Sequence, residues 1–488
     1  MAESKMEYER LRHIFVTVFL YNFAVFMVIP AITDVTMLAL CPGQDECSLA
    51  IYLTGFQQAV TGLGSLMVMP VVGNLSDSYG RKALLTLPMI LTILPLAILA
   101  CGRTKYFFYG YYALKTLTAM FCEGSVLSLS LAYVADNISE SRRSSAFGIL
   151  SGIGSSAFLC GTLTSRFIST QSTFKVSAFV AILATLYMRF FLPDSSCNID
   201  STSCSKLISS KTKRIGNNVV DDSCPKIQIG KRIPSIDDTI HLLKTSLIFR
   251  QAAIVAFFTN LAEGGLREAL LVISLSITPE MNYFRTCALL RFQALRNFFS
   301  DKHSHYYVVQ YFLKARFHFN KDQFADLMLI VGVSGVISQL VLMPILVPGL
   351  GEEKLLRIGL LASCVHMITY SISWAPWVPY VGTAIVVLAV FSSPCLRSIA
   401  SKQVGPEEQG KAQGCISGIG SFANIISPLV FTPLTALFLS DRAPFHFPGF
   451  SIMCTGFAMM IAFLQSLMIR RVPTISNNKS NNNAYNEA

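Results

Sequence analysis

The sequence predicts an all-α membrane protein, with twelve transmembrane helices in two pseudo-symmetric six-helix bundles. Three observations predict it: the composition, the spacing of the apolar runs and an internal repeat. Of 488 residues, 52% are hydrophobic and 14% charged, and the mean hydropathy is +0.52. A soluble domain of this length cannot bury so much apolar surface. Lipid must cover it, which excludes a water-soluble enzyme. The net charge of +11 would point to nucleic acid in a soluble protein. Here the basic residues fall mainly in loops between apolar runs, as membrane orientation requires, and no nucleic-acid partner is expected.

The start, "MAESKMEYERLRH", leads into an apolar run too long for a signal peptide and without a small-residue cleavage site, so it reads as a retained first helix. Segments able to cross a ~30 Å hydrocarbon core centre near Phe23, Leu63, Ile93, Val126, Phe158 and Leu183. A second set centres near Leu261, Gly335, Cys364, Val386, Ile425 and Ala458. The expected organisation is a first bundle over 1–192, a polar cytoplasmic linker over 193–245, and a second bundle over 246–472. An asparagine-rich, disordered tail follows over 473–488.

Charge sets the orientation. Arg10, Arg12, Arg81, Lys82, Arg142 and Arg143 share one side with the linker, Lys354, Arg357, Lys402, Lys411, Arg470 and Arg471. The opposite loops hold fewer, which places both termini in the cytoplasm; plasma membrane and vacuolar or other endomembranes both fit. Trp374 and Trp377 fall at a non-cytoplasmic helix end, as an interfacial belt would have them. Most of the 13 cysteines lie in apolar runs as small hydrophobes. Cys41 and Cys47, in the polar loop "CPGQDEC", form a candidate disulfide on the non-cytoplasmic side, with two free thiols as the alternative. No cysteine or histidine spacing suggests a metal site, and no cofactor is expected.

The halves resemble each other. "AFGILSGIGSSAFL" from Ala146 recurs as "AQGCISGIGSFANI" from Ala412, and "MPVVGNLSDSYGRKALL" from Met69 has a weaker echo in "MPILVPGLGEEKLLRIG" from Met343. A duplicated six-helix unit is expected to pack as two bundles around a central cavity.

Between two apolar runs lies "GNLSDSYGRK". Gly73 and Gly80 permit tight backbone turns, and Asp77 can accept hydrogen bonds from a helix N-terminus. Arg81, followed by Lys82, can reach a carboxylate at the end of a neighbouring helix, with Asp136 the best candidate. The spacing Gly73-x-x-x-Asp77-x-x-Gly80-Arg81-Lys82 resembles the signature loop of the major facilitator superfamily. The resemblance runs on through "LAYVADNISESRRSSAFG" and covers nearly the whole chain. Within that family the chain is most similar to plant hippocampus-abundant-transcript-like, or tetracycline-resistance-like, proteins, on "CPGQDECSLAIYLTGFQQA", "LKTLTAMFCEGSV" and "ARFHFNKDQFADLM". The resemblance implies that these charges latch the cytoplasmic ends of the two bundles in an outward-facing state. Ser78 stands where the family often has Arg or Lys, which implies a weaker latch. The plainer reading is solvated positive-inside charge.

Ionisable residues inside a span are functional hypotheses by default. Glu123, near the middle of the fourth helix, and Glu263, inside the seventh, could bind a proton or a cationic substrate, or simply bond a neighbouring helix. Lys115 stands near where many drug exporters of the family carry an arginine. Gln57, Gln58 and Asn22 are candidate cavity liners, though buried amides often just join helices. Arg267 and Glu268 are adjacent and need separate partners. Tyr21 stands roughly where tetracycline exporters carry an aspartate, and the fifth helix lacks the Gly-Pro pair of the antiporter motif, so antiport does not follow.

Residues 272–310 interrupt the seventh helix with a basic, aromatic stretch. It reads either as a retained intron in the gene or as a genuine interfacial amphipathic helix. The expected function is secondary active transport of a small solute by alternating access, coupled to protons, by a monomer in contact with membrane lipid. The alternative is a transporter-fold receptor or scaffold that binds a solute without turnover. No enzymatic activity is expected.

Overall fold

A computed structural model describes residues 2–40, 48–102, 104–193, 242–269, 321–439, 444–445, 447 and 449–469. The candidate disulfide Cys41–Cys47, nearly all of the linker, the interruption at 272–310 and the tail lie outside the described residues.

In the first half the helices are α1 (Ala2–Leu40), α2 (Ser48–Tyr79), α3 (Arg81–Cys101), α4 (Lys105–Cys122), α5 (Ser125–Asn137), α6 (Arg143–Phe167) and α7 (Thr170–Phe191). The second half begins with α8 (Leu247–Ala269) and α9 (Lys321–Val336). A π-helical segment, Ile337–Leu342, joins α9 to α10 (Met343–Leu350). Then come α11 (Glu352–Ser371), α12 (Val378–Ala389), α13 (Ser392–Ser401), α14 (Gln409–Leu439) and α15 (Phe450–Leu467). Among the described residues nine stretches are long and apolar enough to cross a membrane. Three of these each join two α-helices: α4 with α5, α9 with α10, and α12 with α13. With the long helices α2, α8 and α11, the described residues hold six helical units in each half. Helices suit this composition because, in hydrocarbon, each backbone N–H and C=O must be satisfied within its own segment. Pro88 sits inside α3, and its carbonyl accepts the Thr92 hydroxyl at 2.8 Å and the Cys122 thiol at 3.4 Å.

Each half has its own apolar core. Phe147, Tyr133 and Met188 centre one cluster of the first half, and Phe174 another. Phe249, Phe391 and Met343 belong to a cluster drawn from the second half alone. Between the halves α2 and α5 pack on α14, while α6 packs on α13, α10, α9 and the π-helical segment. Small residues let these helices approach. A Cβ on Gly73 of α2 would lie 3.1 Å from the Gly414 Cα and closer still to the Gly410 carbonyl of α14. Without a hydrophobic force between helices in lipid, such close backbone contact and interhelical hydrogen bonds carry the association. The seam is polar as well as tight: Ser155 of α6 donates to Gln339 Oε1 at 2.9 Å. The hydroxyls of Ser128 on α5 and Ser417 on α14 lie 2.6 Å apart.

Candidate functional site: a polar clasp at one end of the seam

The turn between α2 and α3 forms because Gly80 takes φ 90 and ψ 147, a conformation that L side chains avoid. It sets Asp77, the last-turn acid of α2, beside Arg81, the first residue of α3. Arg81 is 4% exposed, so its charge must be met locally. Its Nη2 pairs with Asp77, its Nε donates to Asp136 Oδ2 at 2.9 Å, and its Nη1 donates to Ser76 Oγ at 2.6 Å. Ser76 in turn donates to the Gly73 carbonyl at 2.7 Å. The planar fork suits this work because it can address three acceptors at once.

Asp77 also reaches across the seam. Its two oxygens accept the backbone amides of Gly410 and Lys411, each at 2.9 Å, at the N-terminus of α14. That end of a helix carries unsatisfied N–H groups and a partial positive charge, so a carboxylate is its natural partner. Burial pushes the Asp77 carboxyl above its ordinary value, while the Arg81 guanidinium and the two amides pull it down. Lys82 is half-buried next to this cluster. The structure thus brings Gly73, Asp77, Gly80, Arg81 and Asp136 into one cluster.

A second cluster repeats the plan with the charges exchanged. Gly351, at φ 81 and ψ 157, opens α11 as Gly80 opens α3. The first residue after it is Glu352, which pairs with Lys402 at 2.8 Å. Ala146 aligns with Ala412 in the internal repeat, and the same spacing carries Asp136 onto Lys402 and Ser144 onto Gly410. Glu352 accepts from Ser398 Oγ at 2.8 Å and, across the seam, from Ser144 Oγ near the start of α6. Arg143 adds a bond from its Nη1 to the Ser401 carbonyl at 3.2 Å. Each half therefore extends a carboxylate to the equivalent helix start of the other.

Residues 14–277, more than half of the chain, match the Major Facilitator Superfamily profile. The chain belongs to the Major Facilitator Superfamily. Among curated relatives of this superfamily member, mouse Hippocampus abundant transcript 1 protein is 21% identical over 78% of the chain, which spans 65% of that protein's length. Escherichia coli Tetracycline resistance protein, class E, is 20% identical over 77% of each. Among solved structures, the human organic anion transporter MFSD10 (TETRAN) superposes with a TM-score of 0.65. It shares 16% identity over 94% of this chain and 99% of that one. The proton:xylose symporter XylE superposes with a TM-score of 0.62 at 15% identity over 96% of each chain. These likenesses establish a multi-pass integral membrane protein with the major facilitator fold.

The remaining polar candidates of this superfamily member are spread over α1, α2, α4 and α8. Glu123 is not inside a continuous helix. Gly124 adopts a left-handed φ of 77, so α4 ends at Cys122 and α5 restarts at Ser125, leaving the half-buried Glu123 at the break. Glu263 is exposed on α8 rather than enclosed between helices. Its neighbour Gly264 packs on Ser427, and Asn260, one turn earlier, lies against Gly420, so residue 263 points about 100° away from that contact. Lys115 is half-buried on α4, and Asn22 on α1 faces Gly154 of α6. Gln57 on α2 has a buried Nε2 with no hydrogen-bond partner among the described residues. The side chain of Gln58 lies outside the described residues.

Sequence reasoning missed Glu352 and Lys402, whose signal was faint because the echo of "GNLSDSYGRK" reverses the charges. It also missed Arg397, although a cation within the apolar span Val378–Ser401 is a signal in itself.

Proposed function

We propose that this superfamily member is a secondary active transporter of a small solute, working by alternating access with proton coupling. In this reading the Asp77 end faces the cytoplasm, together with both termini. The bundles 1–192 and 246–472 rock as units, and Gly73, Asp77, Gly80, Arg81, Lys82 and Asp136 serve as the latch. The observation that carries it is the pair of 2.9 Å bonds from the Gly410 and Lys411 amides to Asp77. They tie the halves at one end through contacts that can be remade without covalent change. Glu123, at a helix break, is the first candidate for the coupling proton, and Glu263 the second.

Pyranine-loaded proteoliposomes under an imposed pH gradient test the reading, with tetracycline, xylose and benzoate as probes. Solute-dependent proton movement is the expected result, and Glu123→Gln should remove its pH dependence. Saturable binding of a probe with no flux under any gradient would replace transport by a receptor role.

A further inference from the structure

We infer that Arg397 is an anion-recognition residue on the solute path, so that the transported solute carries a carboxylate or another oxyanion. The inference rests on the transport reading for its biological sense, and on the geometry of one side chain for its chemistry.

Arg397 lies on α13, within the apolar span Val378–Ser401. It precedes Lys402 by five residues, which sets it about 7.5 Å deeper along the helix than the Glu352–Lys402 pair. A cation at that depth is costly unless something negative meets it. What meets it is neutral. Nη1 donates to Gln413 Oε1 and Nη2 to Ser417 Oγ, both at 3.2 Å on α14. No carboxylate pairs with its guanidinium among the described residues. Helix α13 itself carries no acid, and Glu352, at the start of α11, is engaged by Ser398 and Lys402.

The contrast with Arg81 is informative. That arginine, buried at a helix start, is met by two carboxylates. Arg397 has its hydrogen bonds but not its counter-charge, and a guanidinium carries more N–H donors than two bonds use. It is also placed where a solute would pass. Ser417, which takes the Nη2 bond, touches Ser128 of the first half at 2.6 Å, so the fork stands one hydroxyl away from the seam. The side chain is only partly buried. Separation of α5 from α14 would uncover Ser417 and the fork together, offering a planar bidentate partner to an oxyanion.

The rival role is a staple, since Gln413 Nε2 also donates to the Arg397 carbonyl at 3.2 Å. The two roles give opposite results for Arg397→Gln. A staple removed lowers the melting temperature of the ligand-free protein. An uncompensated cation removed leaves it unchanged or raises it.

The test is thermal unfolding of the purified full chain in detergent with sodium benzoate, disodium succinate and inorganic phosphate. Sodium chloride at equal ionic strength is the reference, and benzamide is the neutral counterpart of benzoate. We expect at least one oxyanion, but not benzamide, to raise the melting temperature of the wild type. Arg397→Gln should weaken that oxyanion's half-saturating concentration by about 10- to 100-fold, and Arg397→Lys should recover part of the loss. The inference is overturned if no oxyanion stabilises the wild type, if benzamide matches benzoate, or if Arg397→Gln keeps the shift. It is also overturned if that variant melts lower without ligand. Oxyanion binding without flux would leave this site standing and sink transport. Flux of a neutral probe, indifferent to Arg397→Gln, would do the reverse.

Discussion

Asp77 Oδ2 accepts the Lys411 amide at 2.9 Å, across 334 residues of sequence. The neighbouring amide of Gly410 takes the other oxygen, so one side chain of α2 satisfies two of the open donors that begin α14.

Replacing that carboxylate should therefore open this end of the seam. Hydrogen bonds to a charged group are worth about 1.5–3 kcal/mol each. Asp77→Ala should shift the balance toward the parted form by at least tenfold. Spin labels at the exposed positions Ser78 and Gly405, read by double electron–electron resonance, should report a longer distance in the variant. An unchanged distribution would remove Asp77 from the role.

Arg81→Lys tests the fork rather than the charge. A lysine keeps the cation but cannot address Asp77, Asp136 and Ser76 together from one planar group. A melting temperature close to that of Arg81→Ala is expected, whereas full recovery by lysine would show that charge alone suffices.

Gly80→Ala adds no clash, because nothing lies within 4 Å of the new methyl. It does force an L residue into φ 90, at a cost of about 1–3 kcal/mol. Thermal unfolding should show the loss. A similar loss from Gly351→Ala would mark the two turns as equivalents.

A double-mutant cycle on Glu352 and Lys402 should return a coupling of about 0.5–3 kcal/mol. Glu352→Lys alone should be the worst variant, since it sets two ammonium groups together, and Lys402→Glu added to it should restore part of the stability. Additive effects would deny the pair any energetic role.

The fold was legible because hydropathy and the repeat both act over long stretches. The Asp77 loop was legible because its parts stand within ten residues. What Asp77 bonds was not, since the amides of Gly410 and Lys411 carry no residue-specific mark. Glu352 escaped for a different reason: the repeat preserved the geometry of the Gly80 turn in Gly351 but reversed the signs around it. The break at Glu123 was hidden because hydropathy does not register a change in the φ of Gly124. Arg397 stood in plain view within an apolar run, and its neutral surroundings became visible only in three dimensions.

The two clasps also differ in how they meet the other half. Among the described residues Arg81 pairs with acids of its own half and Lys402 with the acid of its own, so parting the halves leaves these ion pairs intact. The Glu352 clasp meets the other half through side chains, the Ser144 hydroxyl and the Arg143 guanidinium. The Asp77 clasp meets it through two backbone amides at the positive end of α14. A side-chain substitution can remove donors of the first kind but not of the second. Sequence change can therefore loosen the α6–α13 flank from either half, but the α2–α14 flank only from the side of Asp77.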